Sequence, residues 1–172
     1  MARKRFQPRF VWDQGQVVVN FAEHEREMLN HLLDQLRQIV TVDEDPALHP
    51  LKPAAHPNDP AAEEQFRELI GNDLQRSRLD ALDLVIDGLE RSSSDNGGLD
   101  DGAVSAWMQS INALRILLGQ RLEIDATEHL EIEQLNDEQR GLFELFEWSG
   151  WLLEQLVSAS TAGLDQHRTN PQ

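Results

Sequence analysis

The start of the chain holds its one clear β pattern. Phe10-Val11-Trp12 and Val17-Val18-Val19-Asn20-Phe21 flank Asp13-Gln14-Gly15-Gln16. Apolar, β-branched runs on both sides of a glycine-containing turn predict a hairpin. Two strands alone are marginal in water, so this hairpin must pack on helices. The period then changes. Leu29, Leu32, Leu33, Leu36 and Val40 fall on one stripe with a 3.6-residue repeat, and Asn20 followed by Glu23 has the spacing of a capping box. A helix is expected from there to about Val40.

Residues 41–60 carry Pro46, Pro50, Pro53, Pro57 and Pro60, which sustain neither a helix nor a central strand. A loop of this length is usually functional or mobile. Asp59-Pro60 then restarts a helix, with the aspartate as N-cap, proline at the first helical position and Glu63 and Glu64 in the first turn. Phe66, Leu69 and Ile70 would be its inner face, and Gly71-Asn72 would interrupt it. The next helix uses Leu74, Leu82, Val85, Ile86 and Leu89, and Ser92 to Gly98 reads as a flexible loop.

Asp100 or Asp101 caps a fourth helix with Val104, Trp107, Ile111, Leu114 and Leu118 on one face. A mixed acidic stretch, Glu123 to Glu133, separates it from a last helix that starts near Asn136 or Asp137 and carries Leu142, Leu145, Trp148, Leu152 and Leu156. Apolar periodicity stops at Ser158. The expected architecture is mainly α, a five-helix bundle with an N-terminal β-hairpin. The domain spans 10–157, with a basic arm at 1–9 and a flexible tail at 158–172.

Composition narrows the chemistry. The chain has 172 residues, enough for one domain with a real core, and no cysteine. That excludes disulfides, thiolate metal sites, thiol nucleophiles and thiol redox sensing in this chain. Its formal net charge is −16. The mean field repels phosphate backbones and anionic membranes and favours basic protein surfaces. Arg3, Lys4, Arg5 and Arg9 hold four of the fifteen basic residues, so any nucleic-acid contact would be local to that arm. The longest apolar runs fall far short of the roughly 20 residues of a membrane span, and the basic N-terminus lacks the apolar stretch of a secretory signal. The chain is expected in the cytoplasm.

No catalytic motif is present. His24-Glu25-Arg26-Glu27-Met28 begins like HExxH, but Met28 stands where the second histidine belongs. His24, Glu27 and His31 remain together on the face opposite the leucine stripe, and an ordinary solvated helix face explains them without a metal. Asp43-Glu44-Asp45 lacks the rest of a calcium loop, and Gly97 to Gly102 lacks phosphate-cradle spacing. The expectation is a protein that is not an enzyme and carries no cofactor; a metal-dependent enzyme of unknown substrate built around His24, Glu27 and His31 is an alternative, as is direct DNA binding through the basic arm.

Two places suggest recognition. In the fourth helix Arg121 projects to the apolar side and Arg115 to its edge, and an arginine so placed needs a carboxylate or carbonyl partner. An internal ion pair that orients helices is one reading. A recognition site built from Asn112, Arg115 and Arg121 is the other. Gly119 points to a close helix crossing or a helix end. In the last helix Phe143, Glu147 and Trp151 project away from the leucine stripe, either buried on a second side or exposed as an aromatic anchor.

The hairpin and Leu-rich helix, then Asp59-Pro60-Ala61-Ala62-Glu63-Glu64-Gln65-Phe66-Arg67, come in a recognisable order with two later segments. These are Trp107 with Asn112-Ala113-Leu114-Arg115 and Gly119-Gln120-Arg121-Leu122, and then Trp148-Ser149-Gly150-Trp151-Leu152. In that order and spacing, from about Phe10 to Val157, the chain resembles the actinobacterial AosR family of oxidative-stress transcriptional regulators, formerly a domain of unknown function. The resemblance implies a transcriptional regulator working through a protein of the transcription machinery. Genes of this family commonly neighbour that of the ClpS protease adaptor, which leaves a link to regulated proteolysis open. Separately from the resemblance, a homodimer is a further open reading. Without cysteine, any oxidative response must reside in a partner, since methionines are a poor substitute for thiol sensors.

Overall fold

A computed structural model describes residues 7–42, 51, 54–91, 98–123 and 134–169. The order is β1 (Phe10–Asp13), β2 (Gln16–Val19), α1 (Glu23–Thr41), α2 (Pro60–Arg91), β3 (Gly98–Leu99), α3 (Asp101–Arg121) and α4 (Asp137–Thr169). The protein is mainly helical. Its described residues form four helices rather than five, with a three-stranded antiparallel sheet in the order β1-β2-β3.

The hairpin has a two-residue loop. Asp13 pairs with Gln16, and Gln14 and Gly15 both take positive φ, as a type I′ turn requires. Phe10, Val17 and Val19 point into the core. β3, absent from the sequence expectation, pairs Leu99 with Val17 and Gly98 with Val18. A Cβ on Gly98 would lie 1.8 Å from Cδ of Gln16, so only glycine lets the Gln16 side chain cover this strand.

The cap of α1 lies two residues beyond the expected one. Ala22 is the N-cap, and Glu25 supplies half of a capping box by accepting from the Ala22 amide at 2.9 Å. Leu29, Leu33, Leu36 and Val40 are buried as the period predicts. At the other end Gln75 of α2 donates to the carbonyls of Val40 and Thr41, satisfying groups the helix leaves open.

Asp59 caps α2 as expected, its Oδ1 accepting from Ala61 and Ala62. Glu63 accepts from the His56 amide and from Arg67, and these bonds, the His56 amide first, hold its carboxyl below the usual range. Gly71 does not break this helix, which runs unbroken for 32 residues. An interior glycine costs only about 1 kcal/mol against alanine, and the Ala-, Glu-, Gln-, Arg- and Leu-rich flanks outweigh it. Of the inner face expected for the first turns, Phe66, Leu69 and Ile70, only Phe66 is half-buried. Leu69 is 76% exposed, and Ile70 and Leu74 are exposed as well.

Asp100 caps α3 by accepting from Ala103 at 2.7 Å. This helix is central, packing on α1, α2, α4 and β3. Trp107, fully buried, stacks on Phe21 at 5.9 Å and meets Phe10 edge-on at 5.2 Å, while Trp148 of α4 meets Phe21 edge-on at 6.3 Å. That cluster joins the hairpin to the helices.

Asn136 and Gln139 form a complete capping box for α4, each side chain accepting from the other's amide. The helix then continues to Thr169, well past the tail boundary expected at 158. Ala159 and Gly163 are buried, and the Trp12 ring lies where a Gly163 side chain would be. Small residues rather than large apolar ones make this contact, which is why hydrophobic periodicity missed it.

Candidate functional site

The α3–α4 seam brings together part of the expected recognition set. Gly119 is buried, and a Cβ there would come within 3.3 Å of the Phe146 ring, so the two helices cross closely at this point. One turn earlier on α3, the Arg115 guanidinium lies 4.4 Å from the centroid of that same ring, a cation–π contact. Gly150 completes the seat: a Cβ there would approach Arg115 Nε to 3.1 Å. Half-buried Arg115 is therefore held by an aromatic face and a glycine notch, and forms no ion pair with any described residue. Its Nε is buried without a hydrogen-bond partner.

The internal ion pair expected for Arg115 and Arg121 is thus absent among the described residues. Arg121 is exposed, at the rim of an apolar cleft of about 240 Å³ between α1, α3 and α4. Its flexible stem lies along apolar surface while the charge reaches water, which resolves its apolar-side projection. Asn112 is exposed too, but it faces a different cleft, between α1, α2 and α3.

On α4, Phe143, Glu147 and Trp151 follow one another at i, i+4 and i+8, beside the Phe146–Gly150 edge that seats Arg115. Glu147 is exposed, and both aromatics are half-buried. Trp151 leans on the core, whereas Phe143 is not among the side chains packed against it. The stripe is therefore neither sealed inside the bundle nor fully free. Its neighbours explain the segment Trp148 to Leu152 one residue at a time. Trp148 joins the aromatic cluster, Ser149 is buried with its hydroxyl donating to the Phe146 carbonyl at 2.7 Å, Gly150 seats Arg115, and Leu152 is core.

His24, Glu27 and His31 are exposed on α1, and His31 Nε2 lies 2.9 Å from Gln35 Nε2. Among the described residues no group of three or more His, Asp or Glu is gathered to hold a metal ion. Arg3, Lys4 and Arg5 lie outside the described residues. Arg9, the remaining member of the basic arm, pairs with Glu25 at 2.7 Å and is built into the fold. No helix among the described residues is long and apolar enough to cross a membrane.

Sequence reasoning singled out Arg115 but missed Phe146 and Gly150, which define its position. A glycine inside a strong helical pattern was the available signal. It also passed over Arg78 and Ser110, which line the cleft beside Asn112 and carry no sequence signal of their own.

The sequence model of a family described as a domain of unknown function, DUF2017, matches residues 5–160, and the chain belongs to that family. No curated protein and no solved structure matches it significantly.

Proposed function

We propose that this member of the DUF2017 family is a non-enzymatic regulator that acts on transcription by binding a basic protein of the transcription machinery. The α3–α4 face would be the contact surface. The observation that carries this reading is the Phe143–Glu147–Trp151 stripe set beside an arginine clamped between Phe146 and Gly150. Aromatic and arginine side chains held rigid before binding are the residue types that dominate interface energetics. The charge of −16 supports the choice of a basic partner, since it accelerates encounter with one and repels nucleic acid. The transcriptional setting comes from the sequence resemblance to the AosR regulators. Direct DNA binding by the arm is the weaker reading, because Arg9 is committed to Glu25.

The test is titration of the full chain against purified RNA polymerase core and sigma factors at several salt concentrations. A complex that weakens with salt, and weakens about tenfold or more in Phe143→Ala, Trp151→Ala or Glu147→Lys, is expected. If these three variants bind like the wild type, the face is not the contact surface.

A further inference from the structure

A cleft of about 440 Å³ opens between α1, α2 and α3, on a different side of α3 from the Arg115 seat, and its size is that of a small-molecule site. Its walls are mainly apolar, with Leu36, Val40, Leu74 and Ile116 among them, and none of the described residues that line it is acidic.

Two polar groups in this cleft are left incompletely matched. Arg78 is half-buried and donates to the Leu51 carbonyl, but forms no ion pair with any described residue. Desolvation lowers its pKa, yet a guanidinium keeps its charge at any physiological pH. Ser110 is only 3% exposed, and its Oγ has no hydrogen-bond partner. Four other helical hydroxyls, those of Thr41, Ser149, Ser160 and Thr161, donate to a carbonyl one turn back. Ser110 does not, and an unmatched buried hydroxyl is costly. Gln109 and Asn112 add exposed amides at the rim.

We propose that this cleft binds a small organic carboxylate with an apolar body, the carboxylate held by Arg78 and the Ser110 hydroxyl and the body lying on Leu36, Val40, Leu74 and Ile116. A carboxylate supplies a counter-charge that no described residue gives Arg78 and accepts from both donors, while the apolar wall selects against small hydrophilic anions such as phosphate. The site is independent of the α3–α4 face. It can exist whether or not that face binds a protein.

Decanoate is a suitable probe, with decanol and decylamine as uncharged and cationic comparators, titrated into the full-length protein by calorimetry and ligand-detected NMR. Saturable one-to-one binding of decanoate is expected, with decylamine failing to compete. Arg78→Gln should weaken it about tenfold or more, the scale of a lost charge-assisted contact. Ser110→Ala should weaken it several-fold while leaving the melting temperature unchanged or raised, since it removes an unmatched hydroxyl. Ile116→Trp, which fills the cleft and leaves the Arg78–Leu51 contact alone, should abolish binding and guards against a folding defect in the Arg78 variant. Absence of saturable decanoate binding, equal affinity for decylamine, or wild-type affinity in both Arg78→Gln and Ile116→Trp would each overturn the proposal.

Discussion

Arg9 and Glu25 meet as a fork, Nε to Oε2 at 2.7 Å and Nη2 to Oε1 at 2.8 Å, with both side chains largely withdrawn from solvent. Glu25 at the same time accepts from the Ala22 amide, so one carboxylate closes the N-terminus of α1 and ties it to the start of β1. Burial pushes the Glu25 carboxyl up, but the Arg9 and Ala22 hydrogen bonds and the Arg9 charge outweigh it and leave the pKa below the usual value of 4.5. A carboxyl depressed in the fold contributes stability that is fully present above its unfolded-state pKa and is lost as pH falls through the folded value. Glu25→Gln is expected to cost about 2 kcal/mol at neutral pH, less than a fully buried pair would lose. Below pH 4.5 the gap between wild type and variant should narrow, as read by urea denaturation across a pH series.

The same pair divides the basic arm into two parts. Removing residues 2–6 leaves the Arg9–Glu25 fork intact and should cost less unfolding free energy than removing residues 2–9, as read by urea denaturation. Removing residues 2–9 should destabilise the protein measurably. A DNA-binding test by deletion is therefore interpretable only with the shorter truncation.

On α2, Gly71 sits mid-helix with nothing within 4 Å of the position a Cβ would take. Gly71→Ala is expected to stabilise the protein by about 0.5–1 kcal/mol through helix propensity alone. Leu69→Gln, on the solvent side, should fall within about 0.5 kcal/mol of wild type, whereas Leu82→Ala in the core should cost about 2–5 kcal/mol. Thermal melts of the three variants rank them. Leu69→Gln as costly as Leu82→Ala would mean that the first half of α2 is covered.

What the sequence made readable was local. The hairpin, the Asp59-Pro60 start, the Asp100 cap and the α1 stripe each depend on residues within a few positions of one another, and each is present. The misses depend on partners far along the chain. Gly98 joins the sheet because Gln16 lies over it, and α4 continues past Ser158 because Trp12 packs on Gly163. Gly71 was read as a break because its cost was weighed without that of its neighbours. The recognition surface divides in the same way. Helical projection placed Arg115 at the edge of α3, but not its seat on Phe146 and Gly150, 31 and 35 residues further along. A buried hydroxyl without a partner, such as Ser110, has no signature in sequence at all.

The Trp12–Gly163 contact gives the sharpest test of the extended α4. A Cβ on Gly163 would lie 2.6 Å from ring atoms of Trp12, closer than such atoms approach, so Gly163→Ala must displace the indole or bend the helix. The propensity gain of alanine is about 1 kcal/mol, and overpacking of this kind costs about 1–3 kcal/mol, so the net effect should be destabilising. Trp12→Leu removes the clash along with much of the buried ring and should cost stability by itself. The double variant should then be more stable than the sum of the two losses predicts, with a coupling of about 0.5–3 kcal/mol. Simple additivity would show that the hairpin does not rest on this part of α4.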